Sequence, residues 1–151
     1  MTTITFEPAD QPEIIRLIDE LDAYQKPLYP PECHYGIDIA ALSQVNVLFA
    51  VARDDGGEAI GCSAVVLNAG YGELKRMFTR PASRGQGVAQ TLLAFLEHTA
   101  IERGCTRMAL ETGIYQAQAL TFYERAGYMR RGPFGDYPDD PFSVFMEKAL
   151  A

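Results

Sequence analysis

Two histidines and three cysteines are all the imidazole and thiol ligands this chain offers. Cys33, Cys62 and Cys105 are odd in number and widely spaced, with no C-x-x-C, so neither a disulfide framework nor a zinc site is expected. Free thiols in a reducing compartment are the expectation. Cys33 beside His34 makes a poor nucleophile–base pair, because adjacent side chains seldom face each other. No apolar run reaches the length of a membrane span, and the opening MTTITFEPAD has neither a basic nor an apolar leader region. Those absences lead to the expectation of a cytoplasmic protein with no membrane partner. Positive charge is also short: 13 Lys and Arg stand against 20 Asp and Glu, a net charge of −7. That balance speaks against nucleic acid or an anionic membrane surface as the main partner.

What is present suits one domain over 1–151, since 48% of the 151 residues are apolar. Thr3–Glu7 reads as a short strand. A helix then follows with Asp10 as its expected cap and Pro12 in the first turn, its core face carried by Ile14, Ile18 and Leu21. Residues 24–37 (YQKPLYPPECHYGI) hold three prolines and three tyrosines, which rules out regular helix and suggests a binding loop. A short helix is expected over Asp38–Ser43. Val45–Arg53, Ala59–Leu67 and Glu73–Thr79 read as three strands joined by short turns, an antiparallel meander.

A helix from Gly87 to Arg103 follows, with Val88, Leu92, Phe95, Leu96 and Ala100 as its core stripe. Thr106–Glu111 is expected to return parallel to Glu73–Thr79. Ala117–Ala126 reads as a helix, and Tyr128–Pro133 with Phe142–Glu147 as a last strand pair. The order β-α-α-β-β-β-α-β-α-β-β describes an α+β fold.

The stretch between Glu73 and Arg103 organises this pattern. Gly85 and Gly87 let backbone N–H groups approach a ligand closely, where a helix begins with free donors and a partial positive charge. Lys75, Arg76, Arg80 and Arg84 surround that turn, with no acid between Glu73 and Glu97. A phosphate-bearing ligand is the direct reading. A P-loop would need G-x-x-x-x-G-K-[ST], which is missing. A dinucleotide site would need G-x-G-x-x-G; the frame here ends at Gln90 after a charged strand interrupted by Pro81, although Glu111 stands where a ribose-binding acid would. A third pattern is R-x-x-G-x-[GA], filled by Arg84, Gly87 and Ala89.

This last loop resembles the diphosphate-binding motif of the GCN5-related N-acetyltransferases (GNAT), which bind acetyl-CoA. A second stretch, Gln116-Ala-Gln-Ala119-Leu-Thr-Phe-Tyr123-Glu-Arg-Ala-Gly127-Tyr128, is similar to that family's N-x-x-A-x-x-x-Y-x-x-x-G-F helix. It departs at Gln116 and Tyr128. The resemblance covers about Glu73 to Tyr128 and implies a mixed, mostly antiparallel sheet with helices on both faces and two splayed strands that hold acetyl-CoA. It further implies that the main chain of Met77 and Thr79 pairs with the cofactor's pantetheine arm. Arg84, Gly85, Gln86, Gly87, Val88 and Ala89 would surround the diphosphate, and Gln116 and Ala119 would complete the cofactor site.

The same resemblance makes Tyr123 the expected proton donor to the departing thiolate, its alternative being a packed aromatic. Glu73 is the first candidate base and Glu111 the second, against the alternative of ion pairs with Lys75, Arg76 or Arg107. The backbone N–H of Phe78 or Met77 is the natural oxyanion donor. Tyr29, Tyr35, Arg76, Glu111 and Tyr137 are the expected substrate contacts. Tyr24, Phe134 and Phe142 could add to an aromatic pocket, Glu32, Asp136 and Asp139 could hold a cation, and Arg130 a carboxylate. The activity implied is acetyl transfer to a primary amine of a small molecule, amino-acid-like or aromatic. A protein N-acetyltransferase (N-terminal or lysine) and a non-catalytic acyl-CoA-binding module are the alternatives. The C-terminal strand pair leaves room for a homodimer.

Overall fold

The computed structural model describes residues 2–30 and 38–150. Tyr35, Cys33, His34 and Glu32 lie outside the described residues. Strands β1 (Thr3–Phe6), β2 (Val47–Arg53), β3 (Ala59–Leu67), β4 (Tyr71–Thr79), β5 (Arg107–Gly113), β6 (Met129–Arg131) and β7 (Ser143–Ala149) form one sheet in the order β1-β2-β3-β4-β5-β7-β6. All neighbours are antiparallel except β4 and β5, which are parallel. A parallel neighbour needs a crossover, and α3 (Val88–Glu102) supplies it. The expected α+β layout is the one found.

β2 and β3 read as strands because VLFAVAR and AIGCSAVVL are runs of β-branched and small apolar residues, buried on both faces. Between them Asp54 shapes the turn by accepting hydrogen bonds from the N–H groups of Gly56 (3.0 Å) and Glu58 (2.9 Å). One face of the sheet carries α3 and α4 (Ala117–Arg125); Leu92, Leu96, Met108, Leu110 and Met146 meet there. On the other face α1 (Pro12–Gln25) and the short α2 (Ile39–Leu42) cover β2 and β3 through Ile14, Leu17, Leu21, Leu42 and Phe49. Past α1's reach that second face is covered by Phe134, Phe145 and Tyr137 over Ala109. Each fully buried leucine contributes about 1.5–3 kcal/mol by leaving water, so Leu92→Ala in α3 should cost roughly 2–5 kcal/mol once its cavity is counted.

Three local expectations need correction. Helical structure runs into the stretch 24–37 expected to be irregular, since α1 extends to Gln25 and a 3-10 turn covers Lys26–Leu28. Gln11, not Asp10, is the N-cap of α1, and it makes no capping bond; its amide instead donates to Glu7 (3.1 Å) and to the Pro8 carbonyl (2.8 Å). Pro12 in the first helical turn sets the start without needing a cap. In α3 the fully packed stripe runs through Leu93, while Phe95 is only half-buried, where it lies 4.8 Å from the Phe6 ring.

The feature that builds a site lies in the middle of β4. Ala64 stands opposite Lys75 and Cys62 opposite Phe78, so Ser63 alone faces both Arg76 and Met77. This is a β-bulge, and Arg76 bears it with a left-handed φ of 59°. The extra residue changes the side-chain alternation, so Lys75 and Phe78 point to the same face as α1. Pairing of β4 with β5 ends at Leu74–Leu110, although β4 runs on to Thr79 and β5 to Gly113. Beyond that pair the two strands part.

Candidate active site

The parting strands open a cleft of about 880 Å³, within the range of small-molecule sites. Its floor is Leu74 to Thr79 on one side and Leu110 to Gly113 on the other. One end reaches the N-terminus of α3. Gly85 (φ 81°) and Gly87 (φ 77°) are both left-handed, and a Cβ at either would meet nothing within 4 Å. They are glycine for the backbone, and the space above them is open. Gly87 is the N-cap of α3, with no side-chain capping bond and no acid in the first turn, so the helix end keeps its positive partial charge. Val88 and Ala89 continue that wall.

The basic residues around this turn are divided in duty. Arg84 lines the cleft, donates to the Thr79 carbonyl (3.2 Å) and lies over the Tyr24 ring at 6.0 Å. Arg80 is instead drawn away to Glu20 and Glu58, each at 3.0 Å, and does not line the cleft. Arg76 is paired with Asp22 of α1. Gln86 is absent from the cleft wall and borders a small hollow beside Asp54 and Asp55. Among the described residues, Thr79 Oγ1 is buried with no hydrogen-bond partner. An orphaned hydroxyl, an open amide-lined turn and Arg84 on one wall together suit an extended polar ligand with a diphosphate.

On the α3–α4 face, Gln116, Ala119 and Tyr123 line the cleft. Gln116 is the residue before α4, and Ala119 and Tyr123 are one turn apart on it. Tyr123 is 6% exposed, packed edge-on to Tyr128 (5.7 Å), and burial pushes its phenol up, so it stays protonated. On the opposite face stand Lys75, Glu111, Tyr137 and Tyr29. Burial raises the pKa of the Glu111 carboxyl; Ser143 Oγ opposes this by donating to its Oε2 at 2.8 Å. Tyr29 accepts a hydrogen bond from the Tyr115 N–H at 3.1 Å.

Glu73 does not line the cleft. The residue is buried, and its carboxylate accepts the Tyr137 hydroxyl and pairs with Lys75 at 3.3 Å. The carboxylate in direct reach of the cleft from this pair of strands is Glu111. Other expected contributors lie elsewhere: Phe134 is buried between Tyr71 and Phe145, and Arg130 pairs with Glu124 on the surface. Asp136 and Asp139 are not on the wall. Cys62 sits beneath the bulge, where burial lifts its thiol to about 12 and leaves it inert. Sequence reasoning missed Tyr115 and Gly113, which line the cleft where β5 ends; only their position just before the second motif could have pointed to them.

A profile of the acetyltransferase (GNAT) family matches residues 13–128. An IAA acetyltransferase of Azospirillum brasilense is 42% identical over 150 residues, covering 98% of this chain and 97% of that protein. A crystal structure of a Klebsiella pneumoniae subsp. pneumoniae protein, assigned as an acyl-CoA N-acyltransferase, superposes with a TM-score of 0.85 at 42% identity, covering 100% and 99% of the two chains. The PaiA N-acetyltransferase of Thermoplasma acidophilum, solved with coenzyme A, shares the fold at a TM-score of 0.77 and 18% identity over 99% of each chain.

Proposed function

Since the chain belongs to the acetyltransferase (GNAT) family and is an acetyl-CoA-dependent N-acetyltransferase, we propose that it acetylates a primary amine of a small molecule by direct transfer. The observation that carries this reading is the gap beyond Leu74–Leu110, with a buried phenol on one face and a cleft-lining carboxylate on the other. The name of the Azospirillum relative, IAA acetyltransferase, supports a small-molecule acceptor. When bound, acetyl-CoA supplies an acetyl group activated as a thioester.

In this reading the amides of Gly85, Gln86, Gly87, Val88 and Ala89, with Arg84, would hold the diphosphate, and Gln116 and Ala119 would complete the cofactor site. The main chain of Met77 and Thr79 would pair with the pantetheine arm, and the Thr79 hydroxyl would offer it a further donor. The N–H of Phe78 or Met77 would be the donor available to charge developing on the acetyl oxygen. The residues of the opposite face hold the acceptor: Tyr29, Tyr137, Glu111 and the Arg76–Asp22 pair.

Proton handling falls to side chains on either side of the gap. An amine with a pKa near 10 is protonated at neutral pH, and baring its lone pair costs about 4 kcal/mol at roughly 1.36 kcal/mol per unit. A carboxylate whose proton affinity is raised by burial takes that proton more readily, which favours Glu111 Oε1 as the acceptor-side base. Glu73 contributes through the Tyr137 hydroxyl rather than by contact. Tyr123 Oη holds a proton on the far side, where negative charge develops on the leaving sulfur. The nitrogen gives up two protons; one restores Tyr123 and the other reaches solvent by way of Glu111. Thiol release from acetyl-CoA across a panel of small amines tests the proposal, and no release with any of them would contradict it. The reading also places the enzyme in the cytoplasm, where acetyl-CoA is supplied.

A further inference from the structure

Gly113, the last residue of β5, lies directly against Tyr29: a Cβ there would stand 1.7 Å from the tyrosine Oη and 2.0 Å from its Cζ. Any side chain at 113 would therefore evict the ring. Tyr29 is held in place by the Tyr115 N–H, and the Tyr115 ring stacks on it at 5.6 Å with an interplanar angle of 24°. Phe142 meets Tyr29 edge-on at 6.4 Å and Tyr115 at 6.0 Å. The three rings line the cleft, and Tyr115 remains 56% exposed with bare ring surface to offer.

This aromatic wall ends at a carboxylate. Gly113 pairs in register with Ser143, which follows Phe142 in sequence and donates to Glu111 Oε2. Glu111 Oε1 takes no hydrogen bond among the described residues. Residues 111 and 113 are two apart on one strand, so their Cα atoms are roughly 7 Å apart. That is the scale of an amine nitrogen joined through a short methylene chain to a ring. An ammonium would sit on Glu111, and an aromatic body would pack on the neighbouring rings with edge or offset-stacked contacts.

We propose that the acceptor is an arylalkyl primary amine, its ring on the Tyr29–Tyr115–Phe142 wall and its nitrogen at Glu111, with Gly113 the residue that determines this specificity. The inference rests on the amine N-acetyltransferase reading above and narrows its substrate class. A purely aliphatic amine would engage the carboxylate and leave the wall uncovered.

The test is thiol release by the full-length enzyme with acetyl-CoA and either 2-phenylethylamine or n-butylamine. Wild type should favour the aryl amine in kcat/KM by about tenfold, the scale of one or two aromatic contacts. Tyr115→Ala and Gly113→Ala should each bring that ratio toward one, through a higher KM for the aryl amine and not for acetyl-CoA. Should Gly113→Ala fail to fold, Tyr115→Ala carries the test, because its ring is more than half exposed. A wild-type ratio near one, or a ratio unmoved in Tyr115→Ala, overturns this inference while leaving amine acetylation standing. No release with either amine or with a wider amine panel overturns both.

Discussion

The Tyr137 hydroxyl donates to the carboxylate of Glu73, while the Lys75 ammonium donates to the same hydroxyl oxygen. A tyrosine from the connection before β7 thereby closes over a strand carboxylate and takes its place on the cleft wall. Burial and the neighbouring Glu73 carboxylate both push the phenol up, so Tyr137 remains a donor across the whole accessible pH range. Tyr137→Phe leaves a mostly buried carboxylate short of one hydrogen bond and should cost about 2 kcal/mol of stability, the usual scale for a bond to a charged group. Urea denaturation checks this; an unchanged midpoint would show that the bond adds nothing.

Tyr123→Phe keeps the ring packed against Phe122 and Tyr128 and removes only the hydroxyl. If that hydroxyl delivers the proton, kcat should fall about 100-fold, the low end for general acid catalysis. Direct binding of acetyl-CoA should be nearly unchanged. Wild-type turnover in the variant would leave Tyr123 as a packed aromatic.

Glu111→Gln tests the base in two ways. The rise of kcat/KM with pH should begin above the ordinary carboxylate range in wild type, because burial raises the Glu111 pKa, and that rise should vanish in the variant. The sign for stability is the opposite of a salt-bridged acid. A folded pKa above the unfolded one means that ionised Glu111 costs stability as pH climbs past the unfolded value, so the variant should gain on wild type at pH 8 and match it near pH 3. A pH profile identical in both proteins would remove the base role.

The strand and helix order was legible because each element carries its own signal: β2 and β3 are unbroken apolar runs, α3 has a helical stripe, and glycines mark the ends. The Gly85–Gly87 turn was legible for a local reason, since loop, charge and helix start are contiguous in sequence. What escaped were relations between distant segments. Nothing in the spacing of β4 announces that Ser63 opposes two residues, so the turn of Phe78 toward α1 could not be read. The hiding of Glu73 depends on Tyr137, 64 positions away. Arg80 looked like part of an anion site until Glu20 and Glu58 were seen beside it. The eviction contact between Gly113 and Tyr29 likewise joins β5 to the proline-rich loop.

Outside the cleft, Arg53 ties β2 to the start of α1 by bonding Glu7 at 2.7 Å and Glu13 at 2.6 Å. The Arg53 hydrogen bonds hold the Glu7 carboxyl near 2, far below its usual range. A depressed pKa contributes stability above the unfolded value, and this is lost as pH falls through the folded one. Glu7→Gln should therefore cost about 1–2 kcal/mol at pH 7 after allowance for solvent screening, and almost nothing near pH 2. Denaturant midpoints at the two pH values decide it, and a pH-independent difference would argue for packing instead of charge.

Calorimetric titration of coenzyme A into wild type and Gly87→Glu asks most directly whether a diphosphate occupies the turn that opens α3. A side chain at residue 87 enters open space, so the fold should survive apart from roughly 1–2 kcal/mol of left-handed backbone strain. The new carboxylate would nonetheless sit among the amides meant for phosphate, and the dissociation constant should rise more than about tenfold. Equal affinity in the two folded proteins would mean that the cofactor binds elsewhere, and the account of the cleft would fall with it.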